Sequence, residues 1–280
     1  MTDTSPALRT AGHSPAVPDE ILAYYAEGRE DGRLRSGSGL LEYWRTQDVL
    51  RRLLPNNPSR ILDIGGGSGV HAAWLVRDGH EVELVDPVPL HVEQASALPG
   101  VTARRGDARA LPVPDASADV ALVLGPLYHL GERRDRVRAL AEARRAVRPG
   151  GLVIAATINR FAGLHDTLNQ GRYFEPGRRA VTDSVTRDGH HRPTGSEALF
   201  TTAYFHDPDE VPAEFADAGL TPAGQYGLEG AAWLMNDTEA WLLDPGRREL
   251  LLSAMRLTES VPSLLGVSGH LLTAGTAPAL

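Results

Sequence analysis

Three aspartates, a run of glycines, a histidine and a few tyrosines carry most of the chemistry open to this 280-residue sequence. Ile61-Leu62-Asp63-Ile64 is an apolar run that ends in Gly65-Gly66-Gly67-Ser68-Gly69 and passes directly into helix-forming residues. Glycines at such a junction let the backbone turn sharply and approach a ligand where a Cβ would intrude. Asp86 lies 21 residues beyond Gly65, at the end of the next apolar run, where a carboxylate can accept hydrogen bonds from both hydroxyls of a ribose. Pro87 suits a first helical position, so Asp86 also fits the role of a helix N-cap. In the turn Gly106-Asp107-Ala108 a side-chain acceptor can meet the exocyclic N–H of an adenine; read alone, Asp107 is an ordinary turn aspartate. The candidate general base is His129, in Leu124-Gly125-Pro126-Leu127-Tyr128-His129-Leu130, because imidazole titrates near neutral pH. Tyr128-His129 could equally cap its loop.

Composition removes whole classes of chemistry. With no cysteine there is no disulfide, thiolate nucleophile or zinc knuckle, and a reducing cytoplasm is the expected compartment. All 28 basic residues are arginine, so neither a Schiff-base lysine nor a P-loop lysine exists. A net charge of -8 repels a phosphate backbone, which argues against nucleic acid as partner. No apolar run reaches the roughly 20 residues that span a bilayer, so no membrane partner is expected. His190-His191 lacks carboxylates at ligand spacing and reads as a pair of solvated loop histidines, so no metal is expected. A dinucleotide fingerprint would want Gly or Ala at position 70, where Val70 stands.

These residues need elements to hold them. Short apolar runs alternate with helical segments from Arg60 onward, which predicts a doubly wound α/β sheet of mostly parallel strands covered on both faces. Strands are predicted at 60–64, 81–85, 101–105, 119–124 and 151–157, with helices at 70–78, 89–97 and 133–147, the last closed by Arg148-Pro149-Gly150-Gly151. Residues 1–18 read as a disordered tail, 19–55 as an N-terminal helical flap (helices 19–30 and 40–54), and 56–160 as the ligand-binding core. The polar stretch 161–206 is a candidate inserted lid. A helix at 208–218, a strand at 221–228, helices across 231–259 and a strand at 270–274 would complete the sheet within 207–280.

Taken together, five motifs in order, the glycine loop, Asp86, Gly106-Asp107-Ala108, the strand 119–124 and Arg148-Pro149-Gly150-Gly151, resemble class I S-adenosylmethionine-dependent methyltransferases over residues 61–151. The resemblance implies a seven-stranded, Rossmann-like sheet and S-adenosylmethionine as cofactor, leaving as S-adenosylhomocysteine. It implies that Asp63 with Gly65, Gly66 and Gly67 holds the methionine part, Asp86 the ribose, and Asp107 with Ala108 the adenine, with Pro87 and Leu90 under the ring and Leu124 beside it. Tyr24, Tyr25, Tyr128 and His129 would face a small-molecule acceptor, and an arginine of the flap could pair with the cofactor's carboxylate, although Arg29 itself reads rather as a charge in water on an amphipathic helix. Similar lidded enzymes of bacterial secondary metabolism suggest an aromatic acceptor, in one version an indole-type ring. A nicotinamide-dependent oxidoreductase and a non-catalytic cofactor-binding protein are the rival readings; a monomer or a homodimer is compatible with either.

Overall fold

The computed structural model describes residues 17–26, 30–34, 36–37, 39–192 and 200–279. Three helices, α1 (Asp19–Ala26), α2 (Glu30–Arg33) and α3 (Gly39–Leu53), precede the sheet. The alternating part runs β1 (Arg60–Ile64), α4 (Val70–Arg77), β2 (Glu81–Asp86), α5 (Pro89–Ser96), β3 (Val101–Arg105), β4 (Ala118–Val123), a 3-10 turn at Leu127–His129, α6 (Arg133–Ala146) and β5 (Val147–Ile158). Then come α7 (Ala162–Asn169), α8 (Pro176–Asp188), the two-residue strands β6 (His190–His191) and β7 (Ala203–Tyr204), α9 (Glu210–Asp217) and β8 (Thr221–Gly227). The chain closes with a 3-10 turn at Gly230–Leu234, α10 (Thr238–Leu243), α11 (Pro245–Arg256), α12 (Pro262–Leu265) and β9 (His270–Thr276).

Seven strands form one sheet in the order β3-β2-β1-β4-β5-β9-β8. Pairing is parallel from β3 through β5, while β9 runs antiparallel to both β5 and β8. The inner strands are apolar on both sides because helices cover both faces: four of the five residues of β1 are buried. One face packs on α6 and α9 through Leu140, Val211 and Phe215; the other packs on α3 and α4 through Val49, Leu50, Trp74 and Leu75. A smaller cluster, Leu40 and Leu41 of α3 with Leu242, Leu251 and Met255, seats α10 and α11.

Arg45 is the polar rivet of that seat. It is fully buried, donates to the carbonyls of Gly227 and Leu228, and pairs with Asp48 and Glu259. Arg52 and Arg256 add further pairs to the same carboxylates.

Of the flap helix expected over 19–30, the described residues form α1 (Asp19–Ala26) and the first residue of α2 (Glu30–Arg33), and residues 27–29 lie outside the described residues. The polar stretch after β5 contains α7, α8 and the β6–β7 ribbon, to which the sequence reading assigned no elements, and α7 buries no residue. Most of the tail, residues 1–16, lies outside the described residues, as does Arg29.

Candidate active site

Strand order turns back between β1 and β4, and open parallel sheets leave a crevice at the strand ends of such a switch point. A cavity of about 160 Å³ lies there, on the order of ten times the volume one water needs by the same measure. Its floor is the glycine loop with Asp63 and Asp86; Gly106 to Arg109 and Leu124 to Pro126 form its sides; α1 covers it with Ile21 and Tyr25.

The glycine loop is built around Asp63. A Cβ on Gly66 would stand 2.5 Å from the Asp63 carboxylate and 2.6 Å from Leu84, so only glycine lets the loop close over that carboxylate. Asp63 is 1% exposed, and neither of its oxygens has a hydrogen-bond partner among the described residues. Burial, then the charge of Asp86, pushes its carboxyl up to about 7. An orphaned buried carboxylate on a cavity wall calls for a donor from a ligand.

Asp86 is held rather than orphaned. It accepts from the backbone N–H of Gly67 at 3.0 Å and of Val88 at 2.9 Å, and contacts His91 Nδ1 at 3.0 Å. It does not cap α5, whose N-cap is Val88; the carboxylate instead closes a local turn to that residue. These bonds leave acceptor capacity on Oδ2. Asp107 is gripped at both oxygens by Arg109, which also reaches Asp135. Burial pushes the Asp107 carboxyl up, but the Arg109 hydrogen bonds and charge outweigh it and hold it below the usual range.

Elsewhere on the cavity wall, Tyr25 and His129 share a hydrogen bond of 2.6 Å, with their rings edge-on at 5.3 Å. Burial holds the His129 imidazole down to about 4, against upward pulls from the Thr202 backbone and the Asp86 charge, so it is neutral at rest. Tyr128 packs edge-on to His129 at 4.6 Å.

The cavity wall therefore includes Asp63, Gly65, Gly66, Gly67, Asp86, Pro87, Asp107, Ala108, Leu124, Tyr128, His129 and Tyr25. Two sequence candidates stand off it. Leu90 is replaced on the wall by Val88 and His91, because α5 turns its first-turn leucine aside; Tyr24 packs edge-on against Tyr25 and Phe200 behind the wall. Sequence reasoning missed His91, which its place five residues after Asp86 on a helix could have flagged, and Arg109, two residues after the aspartate it holds.

It also missed Arg33, Glu42 and His71, which line the same crevice. Arg33 chelates Glu42 with both terminal nitrogens. Burial pushes Glu42 up, but His270 and Arg33 outweigh it and hold it at about 2; burial pushes His270 down, but Glu42 and Glu229 outweigh it and raise it to about 9. Glu42, Glu229 and His270 lie close enough to ligate an ion, yet the His270 imidazolium on Glu229 and the Arg33 guanidinium on Glu42 already balance the two carboxylates. His190 and His191 are half-buried against Tyr204 and Phe205 in the β6–β7 ribbon, not solvated as the sequence suggested.

A family model for a methyltransferase domain matches residues 62–155. The ubiquinone biosynthesis O-methyltransferase of Methylocella silvestris is 37% identical over 191 residues, 64% of this chain and 67% of that protein. An uncharacterised methyltransferase of Mycobacterium bovis is 37% identical over 130 residues, 44% of this chain and 51% of that protein. The chain thus spans about half the length of the first curated relatives it matches. Among solved structures, the 1,6-didemethyltoxoflavin-N1-methyltransferase of Burkholderia thailandensis, with 1,6-didemethyltoxoflavin and S-adenosylhomocysteine bound, superposes with a TM-score of 0.55 at 17% identity, covering 96% of this chain and 93% of that one. The fold and site define a Rossmann-like enzyme class that binds an adenosyl cofactor at the switch point of its sheet. This chain belongs to the class I S-adenosylmethionine-dependent methyltransferases.

Proposed function

We propose that this protein transfers the methyl group of S-adenosylmethionine to a small, uncharged aromatic acceptor held between α1, Phe200 and the strand ends. The observation that carries the reading is one cavity holding both an orphaned carboxylate, Asp63, and the Tyr25–His129 pair.

The residues fit the cofactor. Asp63 would accept from the methionine ammonium, the free capacity of Asp86 from the ribose, and the remaining lone pair of Asp107 with the Ala108 backbone would meet the adenine. Arg33, whose forked guanidinium already holds Glu42 on the cavity wall, would be the flap arginine that meets the cofactor's carboxylate. The bound cofactor supplies an electrophilic methyl on a sulfonium.

The chain's own part is to align an acceptor, exclude water and remove one proton. Tyr25 donates its O–H to Nε2 of the neutral His129. As the acceptor O–H or N–H is relieved of its proton by the Tyr25 oxygen, the phenol's own proton passes to Nε2, leaving imidazolium. Around that pair the wall offers Ile21, Pro18, Leu130 and Tyr128, and among the described residues no unpaired cation, which favours an uncharged ring over a carboxylate or phosphate. An indole-type ring is one such acceptor.

Calorimetric titration with S-adenosylmethionine, S-adenosylhomocysteine and NAD tests the reading. Micromolar binding of the first two, followed by mass-spectrometric detection of a methylated product in a screen of uncharged aromatic compounds, is expected. Binding of NAD alone would overturn it, and cofactor binding with no product from any acceptor would favour a sensor.

A further inference from the structure

The hydrogen bonds that hold Asp86 use up most of its capacity to accept. Oδ1 takes the backbone N–H of Val88 at 2.9 Å and faces His91 Nδ1 at 3.0 Å, while Oδ2 takes the backbone N–H of Gly67 at 3.0 Å. A carboxylate offers about four lone-pair sites, two on each oxygen. Both sites of Oδ1 are therefore occupied, and Oδ2 keeps one. A ribose presents two neighbouring hydroxyls. Asp86 can accept from one of them, and the other needs an acceptor from a different side chain, because a hydroxyl buried without a partner forfeits its bond to water.

His91 stands where that acceptor is needed. The ring is 4% exposed and lines the cavity beside Asp86. Because a carboxylate only accepts, Nδ1 is the nitrogen that carries the proton in their bond. In the neutral ring Nε2 is then a lone-pair acceptor, and it has no hydrogen-bond partner among the described residues. The ring is fixed at one nitrogen by Asp86 and along one side by Tyr25, whose ring packs edge-on at 5.5 Å. The other carboxylate lining the cavity here, Asp107, gives three of its sites to Arg109, and the one that remains is assigned above to the adenine.

We propose that His91 Nε2 accepts the second ribose hydroxyl, so that the sugar is read by the pair Asp86 and His91 and not by Asp86 alone. The inference rests on the adenosyl cofactor proposed above. One imidazole then does two things: Nδ1–H orients the carboxylate, and Nε2 touches the ligand. Nothing in the sequence motif that ends in Asp86 requires a histidine on the first turn of α5, so this contact is a property of this chain and decides how strictly it demands an intact ribose.

Calorimetry with S-adenosylhomocysteine and with its 2′-deoxy and 3′-deoxy analogues tests the inference. For the parent protein, removal of either hydroxyl is expected to weaken binding about tenfold, the worth of one hydrogen bond to a preorganised acceptor. His91→Asn keeps an N–H within reach of Asp86 and deletes the acceptor at the place of Nε2; it should bind S-adenosylhomocysteine about tenfold more weakly and become indifferent to one of the two hydroxyls while still sensing the other. His91→Gln puts an amide oxygen near the place of Nε2 and should restore sensitivity to that hydroxyl. Circular dichroism and Tm of each variant confirm the fold. A His91→Asn protein that is folded and still senses both hydroxyls as the parent does overturns the inference, as does a parent protein that senses only one. A parent protein that binds no S-adenosylhomocysteine overturns the cofactor reading itself, a different result from either of these.

Discussion

Tyr25 of α1 and His129 of the turn after β4 are 104 residues apart in sequence and 2.6 Å apart in space. That bond closes the cavity from above and ties the N-terminal helices to the strand ends where the carboxylates stand.

Removing it separates catalysis from binding. Tyr25→Phe keeps the ring packing on His91 and His129 but deletes the phenol oxygen. Positioned proton transfer contributes about 10²- to 10⁴-fold, so single-turnover methylation of an O–H or N–H acceptor is expected to slow by about 100-fold. S-adenosylhomocysteine affinity by calorimetry should stay within a few-fold; an unchanged rate would remove Tyr25 from the proton path.

Asp63 predicts an inverted pH effect. The carboxyl ionises at about 7 in the ligand-free fold against 3.8 for the free side chain. The folded state therefore holds the extra proton between those values and loses stability as pH rises through the window. Asp63→Asn should raise unfolding stability at pH 8 by on the order of a few kcal/mol, with a higher Tm, and leave both unchanged near pH 3. The same variant should bind S-adenosylhomocysteine at least tenfold more weakly. Destabilisation at pH 8 would contradict the burial argument.

The buried histidines act in the opposite sense. His71 and His129 are both held down to about 4, in each case chiefly by burial, against 6.5 for the free side chain. Their contribution is complete above pH 6.5 and is lost as pH falls toward 4, because the unfolded chain takes up protons first. His129→Gln should flatten the fall in urea-unfolding stability between pH 7 and pH 5; a slope equal to that of the parent protein would mean the imidazole is charged in the fold.

Neighbouring glycines should fail differently. Gly66→Ala drives a Cβ into the Asp63 carboxylate and Leu84, and is expected to lower stability by roughly 1–3 kcal/mol, as overpacking does. Gly67 has open space around its missing Cβ but a φ of +59°, so Gly67→Ala should cost about 1 kcal/mol in stability and show itself mainly as lost cofactor affinity. Chemical denaturation and calorimetry on both variants separate the two effects.

Arg45→Met should destabilise without touching the cavity. The side chain is fully buried, and its loss leaves Asp48 and Glu259 short of a partner and two carbonyls without a donor. Breaking a buried pair from one side costs roughly 3–5 kcal/mol. Cofactor affinity measured below the lowered Tm should be unchanged.

The sheet was legible because its signals are local. β1 and β3 begin and end where the runs at 60–64 and 101–105 placed them: β1 is legible as an apolar run, four of its five residues being buried, whereas β3, with no buried residue, is legible from its place in the alternation of strands and helices. Asp63, Asp86 and Asp107 could be singled out because each ends or follows such a run. The helices α7 and α8 were not legible, since the stretch is polar and α7 turns no side chain into a core. Leu90 was misplaced because its distance from Asp86 is local, whereas the direction its side chain takes depends on how α5 packs on β2 and β3.

By itself the sequence determined the succession of elements from β1 to β5, the positions of the glycine turn and the acidic strand ends, and the absence of lysine and cysteine chemistry. These depend on backbone freedom, hydrophobic period and residue type, all of which act over a few residues. Only the tertiary structure decided that Tyr25 meets His129, that Arg109 rather than a ligand holds Asp107 at rest, and that Asp63 is left without a partner among the described residues. Those outcomes depend on which distant side chains are desolvated together, and the burial that shifts Asp63 and His129 exists only once the sheet and its covering helices have closed around them.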